Sequence, residues 1–344
     1  MSVGCGPREE MIKVTALTSS RNDPSTRFRV RQFISPLREL GIDVSEHYPL
    51  ISKYRTERLP LLTMLTRVPG MLAARFSDIT WLGRELVSGR RTLEFFAGKK
   101  RLFDVDDAIW LVYPHAFSEE IAQRCDGVIA GNNFLAEHYR ERGARRVWVV
   151  PTSVDTDIWR PAPKREKKDW TIGWTGTWSN LKYLYAVEEP LADFLVQHTD
   201  ARLLIVCDRR PRFERIPLDR WEYVAWSPQT EVGPVQLMDA GLMPLADTEW
   251  ARGKCAFKML SYMASGVPVV ASPVGVNQEI FQKAPVGFPA VTREDWHASL
   301  LKLYKDREAA TVMGQQGRKI VEQYYSVKNS AIMLAKIFQE VADS

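Results

Sequence analysis

Short apolar runs rich in β-branched residues alternate along the whole chain with stretches whose apolar residues recur at helical spacing. MIKVTALT, DITWL, RLFDV, GVIAG and VWVVP read as strands, and helices are predicted from about Phe28 to Leu40 and over NFLAEHYRERG. At RPAPKREKKD, residues 160 to 169, prolines and charges replace apolar residues as in a linker. The alternation then restarts with WTIGWTG, ARLLIVCD, WEYVAW, AGLMPL and VPVVAS. Helices are predicted there from about Leu181 to Gln197, around VGPVQLM and near Phe257 to Ala264. Strand–helix alternation is the signature of βαβ units and parallel sheets. The expected fold class is therefore α/β, with two doubly wound domains at 1–160 and 161–326. The tail VKNSAIMLAKIFQEVA predicts an amphipathic terminal helix within 327–344, expected to return to the first domain. Two such domains place a ligand in a cleft near the carboxyl ends of their strands.

A length of 344 residues suits two domains, and 45% apolar with 26% charged residues is the mix of a chain with a sizeable core. No run approaches the roughly 20 apolar residues of a membrane span, and MSVGCGPREE lacks a signal core, so a cytoplasmic protein is expected. Cys5, Cys125, Cys207 and Cys255 show no CxxC spacing, which argues against disulfides and structural zinc. The net charge of +5 is uneven. Residues 1 to 150 hold 23 Lys+Arg against 18 Asp+Glu, and residues 51 to 101 alone hold 11 against 4, a local +7. Arg67 and Arg75 lie there among Leu61, Leu62, Met64, Leu65, Met71 and Leu72. Such a stretch suits an anionic membrane surface or an acidic substrate, or else a helix pair with a solvated basic face. No nucleic-acid partner is expected.

MIKVTALTSSRND lacks the GxGxxG turn of a dinucleotide-binding first strand, which makes an NAD-dependent oxidoreductase a poor reading. GWTGTWSNLK, residues 173 to 182, is instead a strand ending in a glycine turn, after which Ser179 or Asn180 can cap a helix carrying Lys182. Amides, helix dipole and ammonium could then hold a diphosphate without a metal. A plain tight turn followed by a solvated lysine is the competing reading.

KMLSYMASGVPVVASPVGVNQEI, residues 258 to 280, follows DAGLMPL. Here the sequence strongly resembles the nucleotide-sugar domain of retaining GT-B glycosyltransferases of family 4. GVIAGNNFLAEHY, VVPTSVDTDIW and GWTGTWSNLK fall in that family's order, covering most of residues 104 to 280. The resemblance implies a GT-B fold of two Rossmann-like domains facing a central cleft, with a nucleotide-diphosphate sugar as donor. It also implies retention at the transferred sugar, with no resident cofactor and no metal. Gly176 and Lys182 keep the family's spacing for the donor diphosphate, with Thr177 standing where an arginine often follows the glycine. Gly275 is carried over as a donor contact.

Aligned on YMASGVPVV, the family's two glutamates fall on Gly253 and Ser261, neither of which is a carboxylate. Ser261 could still bond ribose, and Glu249 could reach the sugar; Lys254 and Lys258 are candidates to replace the missing arginine, or are surface charges. Two turns could stack a base: IVCDRR, residues 205 to 210, and AWSPQTE with Trp226. In FDVDDAIW, Asp104-x-Asp106 spells a metal-holding DxD, while Asp106 and Asp107 could bond acceptor or sugar hydroxyls. His115 could stand near the donor sugar, and Arg27 could face an anionic acceptor. The function expected is transfer of a sugar to an acceptor hydroxyl in glycan, glycolipid or polysaccharide synthesis. The rival is a catalytically inactive sugar-nucleotide-binding or partner protein, motivated by the missing glutamates.

Overall fold

The computed structural model describes residues 11–21, 23–49, 60–113, 115–163 and 169–344, leaving out the side chains of 60–63. The basic residues Lys53, Arg55 and Arg58, the side chains of Leu61 and Leu62, and half of the linker at 160–169 lie outside the described residues. The chain divides into two compact units. The first holds residues up to Thr152 together with Gly253–Cys255 and Val327–Ser344, and the second holds Ser153–Arg252 and Ala256–Ser326.

In the first unit, β1 (Ile12–Leu17), β2 (Ile42–His47), β3 (Ile79–Gly83), β4 (Lys100–Val105), β5 (Gly127–Ala130) and β6 (Val147–Val149) form one parallel sheet ordered β2-β1-β3-β4-β5-β6. The central strands are apolar on both faces because helices cover both, as a parallel sheet requires. The helix predicted after β1 is continuous but irregular. Its turns over Thr26–Val30 are wider wound than an α-helix and those over Arg31–Phe33 tighter, before regular helix at Ile34–Glu39. Val30, Phe33 and Leu37 bury against β1, and Leu334 and Phe338 of the terminal helix Val327–Asp343 join the same core, with Phe338 edge-on to Trp81 at 5.2 Å.

The second unit repeats the plan with β7 (Trp170–Gly176), β8 (Ala201–Cys207), β9 (Trp221–Ala225), β10 (Ala240–Met243), β11 (Val269–Ala271) and β12 (Gly287–Pro289), ordered β12-β11-β10-β7-β8-β9 and again parallel. Pro289 is tolerated because β12 is an edge strand. The single helix predicted over Leu181 to Gln197 is two, Leu181–Tyr185 and Glu188–Gln197. Two helices, Arg293–Lys305 and Arg307–Tyr324, close the unit.

Arg67 is not the surface charge the sequence suggested. It is buried, and its guanidinium donates to the carbonyls of Thr18 and Leu86, holding the helix Pro60–Ala74 against the loops that leave the sheet. Among the described residues no helix is long and apolar enough to cross a membrane.

Candidate functional site

In the second unit, β7 ends at Gly176 for a steric reason. A Cβ there would lie 2.7 Å from the Trp174 ring and 2.8 Å from Cε of Lys258, so only glycine lets the Lys258 stem cross the turn. The Lys258 ammonium then rests 4.7 Å from the centroid of the buried Trp174 ring. Below it, the Tyr262 hydroxyl accepts from the Thr175 amide at 2.9 Å and donates to the Leu242 carbonyl, tying β7 to β10 through the helix Phe257–Ala264. That helix starts at Ala256 in left-handed backbone, φ 56°, a conformation costing a non-glycine residue about 1–2 kcal/mol.

The turn after Gly176 is built differently from the expected cap. Thr177 Oγ1 bonds Ser179 Oγ at 3.0 Å and accepts from Asn180 Nδ2 at 2.8 Å, so these side chains stabilise the turn and do not cap the helix Leu181–Tyr185. Asp208, just past β8, takes the Trp178 amide at 2.6 Å, and Arg209 stacks on the half-exposed Trp178 ring at 4.3 Å. Asp208 thus occupies one of the amides expected to face the anion. Lys182 is exposed on the short helix, its ammonium 5.1 Å from the Tyr183 ring.

The other donor-side candidates divide. Ser261 is fully buried and donates to the Lys258 carbonyl at 2.7 Å, so the structure does not offer it to a ribose. Gly275, φ 56°, precedes the helix Val276–Lys283, and a Cβ there would lie 2.9 Å from the Arg252 carbonyl oxygen. Glu249 is exposed at the start of Glu249–Arg252, where Arg252 pairs with Asp247 at 2.8 Å. Trp226 is half-buried after β9 and packs against the core.

In the first unit, the carboxyl ends of β3 and β4 gather charge. Arg29 and Asp104 form a buried bidentate pair, 2.9 and 3.2 Å, with Trp81 Nε1 on Asp104 at 3.2 Å and the Val150 carbonyl on Arg29 at 2.7 Å. Burial opposes both charges, but the Asp104 carboxylate outweighs it at Arg29 and raises that guanidinium's pKa. Asp106 and Asp107 both pair with Arg84, at 3.0 and 2.6 Å, and Ser25 donates to Asp106 at 2.6 Å. Arg84 itself has φ 67°, strained for a non-glycine residue. Burial works against the Asp106 charge, yet Arg84, Ser25 and Arg29 hold its carboxyl below the usual value. At Asp107 burial prevails and the pKa rises, with Arg84 and Lys254 pulling the other way.

Asp106 and Asp107 are therefore paired with Arg84, and Asp104 of the DxD stretch with Arg29. Among the described residues no group of three His, Cys, Asp or Glu side chains stands together as a metal site. Gly253–Cys255 packs on the same ends. Asn132 donates to the Gly253 and Lys254 carbonyls at 3.1 and 3.2 Å while its Oδ1 caps the helix Asn133–Glu141, and Cys255 Sγ donates to the Asp106 carbonyl at 3.2 Å. Lys254 thus belongs to the first unit, where its charge lowers the Asp107 pKa, whereas the Lys258 stem crosses Gly176 of the second. His115 is exposed on a bend, and Arg27 is partly buried with its guanidinium 4.8 Å from the Phe28 ring. Arg29, two residues on, is the arginine that turns toward the carboxylates.

Sequence reasoning missed Arg84, Ser25, Asn132 and Asp208. The signal for Arg84 was the unpaired look of Asp106-Asp107, two adjacent carboxylates that need a shared cation.

Residues 170–306 match the family Glycosyl transferases group 1. No curated protein matches the chain. Among solved structures, the sucrose-phosphate synthase of Thermosynechococcus elongatus superposes with a TM-score of 0.71 at 13% identity, covering 97% of this chain and 100% of that one. Anabaena HepE in complex with UDP gives 0.66 at 12% identity, covering 96% and 100%. A putative UDP-N-acetylglucosamine 2-epimerase from Listeria monocytogenes gives 0.62 at 12% identity, covering 97% and 98%. These likenesses establish the fold, that of the GT-B proteins, and the last of them shows that the fold alone does not fix the reaction.

Proposed function

We propose that the chain is a glycosyltransferase that moves a sugar from a nucleotide-diphosphate donor to an acceptor hydroxyl with retention of configuration. The observation that carries this reading is the crossing of Lys258 over Gly176, inside the segment that matches the glycosyltransferase family. A glycine turn at a strand's carboxyl end with an ammonium laid across it suits a diphosphate, and Lys182 adds a second, exposed cation nearby in sequence. Anabaena HepE, alike in fold, was crystallised with UDP.

In this reading no side chain acts as a nucleophile. Leaving-group charge develops on the β-phosphate oxygen, Lys258 and Lys182 stabilise it, and that oxygen accepts the proton of the attacking acceptor hydroxyl. The protein's contribution is positioning and electrostatics. Asp106, held below its usual pKa by Arg84, Ser25 and Arg29, remains an ionised acceptor for substrate hydroxyls at neutral pH. The lysines take the place of a metal in neutralising the diphosphate.

Nucleotide release from UDP-, GDP- and ADP-sugars, with and without a glycan or lipid-linked acceptor pool, tests the proposal. Acceptor-dependent release with the anomeric configuration retained, undiminished by chelator, is the expected result. Donor epimerisation without transfer would refute it, and loss of activity in chelator restored by Mg²⁺ would refute the metal-free part.

A further inference from the structure

The helix Pro60–Ala74 of the first unit is turned inside out. A surface helix ordinarily puts its apolar stripe on the core. Here the face toward the sheet carries Arg67, Gly70 and Ala74, and a Cβ on Gly70 would meet Leu17 and His47 at 2.9 Å. The opposite face carries Leu65, Val68 and Leu72, continued by Phe76 two residues beyond the helix, exposed by 67%, 41%, 53% and 85%. At about 100° per residue the three helical ones fall within an arc of roughly 60°. A single exposed leucine is ordinary, but four large apolar side chains in one stripe mark a contact surface.

We propose that this stripe docks on an anionic lipid bilayer, lying in the plane of the headgroups. Charge on its margin selects the occupant. Exposed Arg75 lies beside Val68 on the same arc, and exposed Lys99 follows Gly98, whose α-carbon packs on the Ala74 carbonyl at the helix end. Apolar side chains flanked by cations suit an interfacial helix, each cation adding an attraction that decays within a Debye length. A second copy of the chain fits less well. One helix face about 22 Å long and 10 Å wide is much smaller than the about 800 Å² per partner that a stable dimer buries. The proposal does not depend on the transferase reading; if both hold, the acceptor is one presented at the membrane.

Flotation of the full chain with vesicles of phosphatidylcholine, alone or with phosphatidylglycerol, is the test. The wild type should float with the anionic vesicles at low salt and detach at high salt. Leu72→Ser with Phe76→Ser should lower the partition coefficient at least about tenfold with an unchanged melting temperature, because both side chains already face water. Phe76→Leu should keep binding, and Arg75→Glu should reduce both binding and its salt sensitivity. If the double variant melts lower, Leu65→Ser with Val68→Ser supplies the same comparison. Equal partition of wild type and variants, or no binding to anionic vesicles, overturns the proposal. So does a wild-type dimer in sedimentation velocity that the double variant dissolves, since the stripe would then belong to a second copy.

Discussion

Replacing Gly176 with alanine tests the donor site through a single methyl group. Its Cβ would sit 2.7 and 2.8 Å from two carbons of the Trp174 ring and 2.8 Å from Cε of Lys258, where ordinary contacts begin near 3.4 Å. Trp174 is wholly buried in the core of the second unit and cannot give way. The strand end and the Lys258 stem must therefore move by about 0.6 Å or more, and overpacking of this kind costs about 1–3 kcal/mol of stability. The functional cost is larger in proportion, because displacing a charged group by about 1 Å from its working position lowers rates by about 10²-fold. The expected outcome is a folded variant whose kcat/KM for nucleotide release falls about 10- to 100-fold, with donor affinity measured by calorimetry weakened in parallel. A variant with wild-type kcat/KM and donor affinity would refute the assignment of Lys258 and this turn to the diphosphate.

Lys182→Ala should lose about 2–4 kcal/mol of transition-state stabilisation, roughly 30- to 1000-fold in kcat, with an unchanged melting profile; an unaltered rate removes Lys182 from the site. Arg29→Met leaves Asp104 buried with only Trp81 as a polar partner, and should destabilise the first unit by about 3–5 kcal/mol, seen as an earlier calorimetric transition that a second Asp104→Leu change largely restores. At Glu119, burial raises the pKa but the 3.0 Å contact with His138 and the Ser118 hydroxyl outweigh it, so the folded pKa lies below its ordinary value. The stabilisation is therefore present above the unfolded value of about 4.3 and lost as pH falls through the folded pKa. Glu119→Gln should be less stable than the wild type by about 1 kcal/mol at pH 7, allowing for solvent screening, and the gap should close below about pH 4 in pH-resolved denaturation.

The fold was legible where strands are apolar on both faces, because a continuous run such as LLIVC admits few other readings. β2 escaped because it is an edge strand whose Asp43, Ser45 and Glu46 alternate with Ile42 and Val44, leaving too little apolar signal. β12 is three residues long and ends in proline. The helix Arg307–Tyr324, which carries Gly314 and Gly317, was not among the predicted elements. Both glycines are close-packing points, since a Cβ on Gly314 would fall 2.0 Å from the Gly266 carbonyl oxygen. The break between Leu181–Tyr185 and Glu188–Gln197 left no mark either, both halves having apolar residues at helical spacing. In the site, residue types at strand ends were visible but their pairings were not. Arg27, Arg29 and Arg31 differ only in register, yet Arg29 is buried on Asp104 while Arg31 pairs with Glu46 at 2.7 Å. Which arginine turns inward is decided by the irregular winding over Thr26–Phe33, and a helical period cannot supply that.

The same limit explains the missing carboxylate at position 253. Aligned by sequence, Gly253 looks like a lost functional side chain. In the structure its α-carbon packs so closely that a Cβ would lie 2.7 Å from the Ala108 Cβ and 2.9 Å from the Ala108 nitrogen. The backbone on either side of that contact is also fixed, by Asn132 on the Gly253 and Lys254 carbonyls and by Cys255 on the Asp106 carbonyl. Glycine at 253 is thus what lets the segment Gly253–Cys255 pack against Ala108. A carboxylate side chain at 253 would have no room beside Ala108. Under the proposed function the diphosphate falls to Lys258 and Lys182 of the second unit. On that reading no carboxylate is needed at the position where the family resemblance led one to be sought.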